Sequence, residues 1–250
     1  MPLQLMSTTS HRLFHEGPKR RRQFLDWLLF HVEPSFLNLW QMHQRTLKQR
    51  NAALKNKQSR PAVLAWDAQL CALSDEIDHH RAQILEEIKP TLFLMLEKLL
   101  PECALTLTYS RGWPADQTLQ ACLNDGFSRD RALNYTYYGP QRADFQLLCQ
   151  DVPIQDHLSQ GQQKLAAYAL ALSQGQFIKY RIKRAPIYLI DDLPSELDPE
   201  KSEILLGTLK ALDAQVFITS ITSAPLESLT TPVDSQLFHV KEGDITPIAS

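Results

Sequence analysis

Apolar residues recur at helical intervals through the first hundred positions. Beyond them, stretches of period two alternate with stretches of helical period. Phe36, Leu39, Trp40, Leu47 and Leu54 predict a helix from Pro34 to Leu54, ended by Ser59-Arg60-Pro61. Leu64, Leu70, Leu73, Ile77, Ile84, Ile88, Leu92, Leu96 and Leu99 predict a longer one, kinked or restarted at Pro90. Two such helices joined by a short break predict an antiparallel hairpin, a helical arm. Ahead of it, Leu3 to Met6 reads as a short strand with no preceding strand to pair with, followed by a Ser/Thr loop. Gly17-Pro18, the basic cluster Lys19 to Arg22 and a helical run (Phe24, Leu25, Leu28, Leu29) come next.

From Leu105 the period becomes two, with Leu105, Leu107 and Tyr109 alternating with Thr106, Thr108 and Ser110. A helix around Ala115 to Leu133, a strand Asn134 to Tyr138, a turn at Gly139-Pro140 and a strand Ala143 to Cys149 follow. Then come helix Gly161 to Tyr180, strand Ile187 to Ile190, helix Pro199 to Leu212, strand Val216 to Thr219 and a hairpin Gln236 to Ile245. That alternation predicts an α/β fold with some parallel strands.

Composition narrows the reading in two places. The net charge of -2 gives no global attraction to nucleic acid or membrane, so any such attraction must be local. Glycine is scarce, with 8 in 250 residues, and a phosphate loop normally spends glycine. The four cysteines lie far apart without metal-ligand spacing, as expected of buried thiols in a reducing cytosol. No apolar run approaches a membrane span and no signal-peptide pattern opens the chain, so a cytoplasmic protein with no membrane partner is expected.

Two segments carry candidate chemistry. Leu158-Ser159-Gln160-Gly161-Gln162 precedes a strong helical pattern, and a helix N-terminus with free N–H groups attracts phosphate. Taken alone, Ser159 reads first as an ordinary N-cap. Ile187-Tyr188-Leu189-Ile190-Asp191-Asp192 ends an apolar strand in two acids, at the edge where α/β sheets bind ligands. Asp191 can hold Mg²⁺, and Asp192 can orient or deprotonate water, or simply start a turn before Pro194. Ser195-Glu196-Leu197-Asp198, a helix opened by Pro199, and a last strand ending at Ser220 complete the series.

In this order, the segments resemble the second lobe of ABC-type ATPase heads, and most closely the RecF family of recombination mediators, related to SMC proteins. Gly17 to Asp26, Leu47 to Leu54 and Gly139 to Asp144 share in that resemblance, which runs over essentially the whole chain. It implies an α/β ABC-type head with an inserted helical-hairpin arm: residues 1–32 as a remnant of the first lobe, 33–104 as the arm, 105–250 as the subdomain bearing signature, Walker B and D-loop. It implies that Ser159, Gly161 and Gln162 meet the γ-phosphate of ATP on a partner subunit. Asp191 becomes the magnesium carboxylate, and Asp192 stands where most such ATPases carry a catalytic Glu, so this catalytic pair implies slow turnover. Ser195 and Asp198 bound the D-loop, Ser220 stands near the switch-His position, and Gln4 could be the Q-loop glutamine.

No G-x-x-x-x-G-K-[ST] occurs, and Gly17 is the first glycine. The resemblance therefore implies a chain that begins after the first lobe, through an engineered boundary, an internal start or a disrupted gene. Such a chain alone is expected neither to bind ATP tightly nor to hydrolyse it; ATP and Mg²⁺ belong to the complete protein.

Pro34 to Trp66 contains no acid but holds Arg45, Lys48, Arg50, Lys55, Lys57 and Arg60. This run reads as a solvated face or as a phosphate-binding one, with Lys19, Arg20, Arg21 and Arg22 a second candidate. The next helix is acidic (Asp67, Asp75, Glu76, Asp78, Glu86, Glu87), so part of the basic face could pair internally. The family implies an ATP-dependent homodimer on gapped or single-stranded DNA that supports RecA loading with RecO and RecR. The alternative is a non-catalytic DNA- or protein-binding remnant; an SMC-type structural role is disfavoured by so short an arm.

Overall fold

The computed structural model describes residues 1–192, 197–221, 235–241 and 243–247. In chain order the elements are β1 (Leu3–Met6), α1 (Arg12–His15), α2 (Pro18–Val32), α3 (Phe36–Lys55), α4 (Arg60–Leu64) and α5 (Asp67–Leu99). They continue with β2 (Leu105–Ser110), α6 (Leu119–Asp125), α7 (Phe127–Leu133), β3 (Asp144–Cys149), β4 (Val152–Pro153) and α8 (Ile154–His157). The last are α9 (Gln160–Ile182), β5 (Ile187–Ile190), α10 (Pro199–Ala211), β6 (Val216–Ile218), β7 (Phe238–Lys241) and β8 (Asp244–Pro247). Among the described residues no helix is long and apolar enough to cross a membrane.

The predicted arm is present, with α3 and α5 packed against each other. Of the kink or restart expected at Pro90, the restart does not occur: α5 runs on through it. The first strand also departs from expectation, because β1 has a partner that comes much later in the chain. It pairs in parallel with β5, which pairs in parallel with β6, giving the order β1-β5-β6. Asn134 to Tyr138 is not a strand. Its backbone is claimed by side chains: Thr136 N–H donates to Asn51 Oδ1 (2.7 Å) and Tyr137 N–H to Asp130 Oδ1 (3.0 Å).

One core runs from the sheet into the arm, joining Met6, Tyr188 and Ile190 to Leu172 and Ile178 of α9 and to Ile88, Leu92 and Leu96 of α5. The period-two pattern of β1 puts Gln4 and Met6 inward and leaves Leu3 and Leu5 exposed. Farther out, Ala53, Leu54, Val63 and Phe127 form a separate small cluster. Three buried arginines, gripping four aspartates, fasten these parts together. Arg81 Nε and Nη2 grip both oxygens of Asp26, each at 2.8 Å. Arg21 Nε and Nη2 grip Asp144 at 2.7 and 2.8 Å. Arg50 bridges Asp67 and Asp130 at 2.7 and 2.8 Å.

Beneath the sheet, α9 passes so close to β5 that a Cβ at Gly175 would fall 1.6 Å from the Tyr188 hydroxyl oxygen. Gly175→Ala is therefore expected to cost about 1–3 kcal/mol through overpacking. The Tyr188 hydroxyl is buried without a hydrogen-bond partner. Tyr188→Phe is expected to be neutral or stabilising and to restore part of the loss in the double variant. Urea unfolding of the four proteins checks this; additive losses would contradict the contact.

Candidate functional site

Parallel pairing carries the chain ends of three strands to one edge. Asp191 N–H donates to Met6 O (2.9 Å) and Thr219 N–H to Ile190 O (2.9 Å). Asp191 and Thr219 thus emerge next to Ser7 at the carboxyl end of the sheet, where open α/β sheets take their ligands. Asp191 is exposed. Thr219 Oγ1 donates to Asp191 Oδ1 (2.8 Å) and accepts from Asp192 N–H (3.0 Å). Asp192 adopts a left-handed backbone with φ 56°, which turns the chain at this edge. Thr219 was missed by the sequence reading, which stopped one residue later at Ser220. The readable signal is register: the residue after β6 must stand beside the residue after β5.

This arrangement suits a magnesium ion shared with a nucleotide. A hydroxyl orients one carboxylate oxygen, and Oδ2 has no donor among the described residues. Mg²⁺ commonly uses one or two protein carboxylates and takes its remaining ligands from phosphate and water. No cluster of three His, Cys, Asp or Glu exists among the described residues to form a closed cage.

Ser159 is an N-cap, and more. It makes a reciprocal capping box with Gln162: Ser159 Oγ accepts from Gln162 N–H (3.3 Å) and Gln162 Oε1 from Ser159 N–H (3.0 Å). The cap is exposed, and a Cβ at Gly161 would meet nothing nearer than Ser159 Oγ at 4.0 Å. The end of this 23-residue helix is therefore open to an approaching anion. Farther along α9, Tyr168 Oη lies 3.4 Å from Ser7 O at the sheet edge. Ser159 lies nine residues before it, so at ~1.5 Å per residue α9 reaches about 13 Å beyond that contact.

The remaining predicted residues separate. Asp198 caps α10, its Oδ1 accepting from Lys201 N–H (2.9 Å), with Pro199 next. Ser220 is half-buried two residues past the end of β6, and Ser195 lies outside the described residues. Gln4, the Q-loop candidate, is buried and donates to Gln174 Oε1 (3.0 Å).

The basic residues divide by burial. Arg45, Lys48, Lys55 and Lys57 are exposed, as is Lys19. Arg20 is exposed and paired with Glu16 at 3.2 Å, while half-buried Arg22 donates to Ala143 O (2.6 Å). Arg21 and Arg50 are corrections to the sequence reading. They are 4% and 0% exposed, and the Arg–Asp contacts described above consume them. Buried and paired, neither can meet a DNA phosphate in this structure.

Residues 35–244 match the RecF/RecN/SMC N terminal domain family. A DNA replication and repair protein RecF from Coxiella burnetii is 45% identical over 248 residues, covering 99% of this chain and 69% of that protein. The chain belongs to the RecF family. A RecF from Pseudomonas putida is 44% identical, with 98% and 68% covered. A solved structure of the recombination mediator protein RecF–ATPrS in the RecFOR pathway superposes with a TM-score of 0.83 at 22% identity, covering 100% of this chain and 68% of that one. An Smc head domain from Pyrococcus furiosus, bound to the C-terminal domain of ScpA, gives 0.53 at 13% identity, over 98% and 61%. These likenesses fix the fold as that of RecF and SMC heads. The three segments singled out for their RecF resemblance now have a physical account. Gly17 to Asp26 holds Arg21 and Asp26, Leu47 to Leu54 holds Arg50 and Asn51, and Gly139 to Asp144 holds the Arg21 partner.

Proposed function

We propose that this RecF-family DNA repair chain supplies one half of an ATP-gated DNA clamp. Ser159, Gly161 and Gln162 meet the γ-phosphate of ATP held by a partner subunit. Asp191 positions Mg²⁺ and Asp192 orients water at the chain's own sheet edge. Asp198 approaches the dimer seam, and Ser220 stands beside the phosphate. The exposed arm, with the Lys19 region, takes DNA phosphates, and the family's support of RecA loading with RecO and RecR follows from that grip. The observation that supports this reading is the exposed N-terminus of α9, which lies about 13 Å along the helix beyond its contact with the sheet edge at Ser7. Bound ATP and Mg²⁺ would supply the activated phosphoryl group. The chain's residues hold and orient, and Thr219 keeps Asp191 aimed.

Light scattering of this chain mixed with a full-length relative that carries a phosphate loop tests the reading. The expected result is an ATP-dependent heterodimer that Ser159→Arg abolishes. By itself the chain, which has no G-x-x-x-x-G-K-[ST], is expected to show no micromolar ATP binding in calorimetry. ATP-independent association, or tight nucleotide binding by the chain alone, would sink the proposal.

A further inference from the structure

A cavity of about 250 Å³ lies between α2, α3, α5 and the Gly139-Pro140-Gln141-Arg142 turn. Lys19, Arg22, Trp40, His43, Arg81 and Gln141 are among the residues that line it. Two of these carry polar atoms that the protein leaves unsatisfied. His43 is 1% exposed, yet neither ring nitrogen has a hydrogen-bond partner. Gln141 uses its amide nitrogen on Tyr138 O (2.9 Å), leaving Oε1 buried and unpaired. Buried polar groups are nearly always paired, so unpaired ones beside a cavity mark bonds that a ligand would complete once His43 and Gln141 turn toward it, each atom being sealed from contact as placed.

The charges say what kind of molecule. Three cations and one acid line the cavity, and the acid, Asp26, is held through both oxygens by Arg81. Lys19 and Arg22 remain. Burial and then the nearby Arg81 lower the Arg22 pKa, outweighing the opposite pull of Asp144 and Asp26. Lys19 is the second residue of α2, whose cap Gly17 has no side chain and whose first turn has no acid. Nothing on that turn offsets the positive end of the helix. His43 is held neutral: burial first, then Arg81, lowers its pKa to about 4. A neutral imidazole offers one donor and one acceptor, and Gln141 Oε1 offers an acceptor.

We propose that this cavity binds one nucleotide unit, its phosphate at Lys19 and Arg22 and its base edge turned in to His43 and Gln141. An inorganic anion would satisfy the cations alone. A base edge carries donors and acceptors together, which is what His43 and Gln141 lack, and Trp40 supplies an apolar wall. The nucleotide belongs either to a DNA strand or to a free mononucleotide. The proposal deepens the DNA-binding half of the reading above and is independent of the clamp at Ser159.

The test titrates the full chain with deoxyadenosine monophosphate, with a short single-stranded oligonucleotide and with inorganic phosphate. His43 imidazole resonances and Trp40 fluorescence are followed, using Trp40→Phe and His43→Gln to assign the signals. At least one of the two nucleotide probes is expected to shift both signals saturably, with inorganic phosphate much weaker. Lys19→Ala, at an exposed position that leaves the fold intact, is expected to weaken that binding about tenfold or more. A response to the oligonucleotide alone assigns a strand, and a response to the mononucleotide alone assigns a free ligand. DNA binding that leaves His43 and Trp40 unmoved overturns this inference while the wider DNA reading stands. Nucleotide-induced shifts without DNA binding do the reverse. Silence from every probe, or equal response to inorganic phosphate, overturns it.

Discussion

Arg50→Ala is expected to remove about 3–5 kcal/mol of folding stability, out of the 5–15 kcal/mol or so that a domain typically has. Arg50 is wholly buried in the middle of α3. Its Nε donates to Asp67 Oδ1, and its Nη1 to Asp130 Oδ2 and to Thr136 Oγ1. Asp67 opens α5 and Asp130 lies on α7, so one guanidinium ties both to the arm. Truncation leaves two buried carboxylates with no cation, which is the costly case. The cost comes from stranding charge rather than from losing attraction, because a buried ion pair is itself of modest net worth. Two controls separate these. Lys48→Ala, two residues earlier and exposed, should stay within about 0.5 kcal/mol of the parent. The triple change Arg50→Met, Asp67→Asn, Asp130→Asn should recover part of what Arg50→Ala loses. Urea unfolding measures all three, and an Arg50→Ala chain as stable as Lys48→Ala would show that the contacts carry no load.

The same residue shows where sequence reading reaches its limit. Lys48 and Arg50 are both cations in an acid-free run, but helical spacing sets Arg50 on the apolar face with Leu47 and Leu54. What that spacing does not name is its partner, Asp130, distant in sequence. Arg21 repeats the lesson, its partner Asp144 coming from the far side of the arm. Local signals fared better. The period change at Leu105, the cap at Ser159 and the strand before Asp191 needed only neighbours, and each element formed where predicted. Non-local pairing was illegible. The partner of β1 could not be read because no local pattern encodes which later strand lies alongside. Asn134 to Tyr138 looked like a strand from its aromatic composition. Its backbone donors went to Asn51 and Asp130 instead, a competition that propensity does not contain.

Replacing Arg45, Lys48 and Lys55 together with alanine is expected to weaken DNA binding about a hundredfold at physiological salt. The three fall within about 80° of one another around α3, on its exposed side. No ion pair neutralises any of them among the described residues. Four acids of α5 are engaged elsewhere: Asp67 holds Arg50, Asp78 accepts from Tyr109 (2.9 Å), Glu86 pairs with Lys89, and Glu87 meets Arg181 at 3.3 Å, while Asp75 and Glu76 make no ion pair with the stripe among the described residues. The internal pairing that the sequence left open therefore does not silence this stripe. Each phosphate contact releases counterions and contributes about 0.9 to the slope of log affinity against log salt, so three losses should flatten that slope by about 2.7. At physiological ionic strength the same relation gives roughly two orders of magnitude. Fluorescence anisotropy across a salt series reads both numbers. Because the three side chains are exposed and unpaired, the melting temperature should hold, separating lost contact from lost fold. An unchanged salt slope in a folded triple variant would make the stripe a solvated surface and return the search for the DNA contact to Lys19 and Arg22.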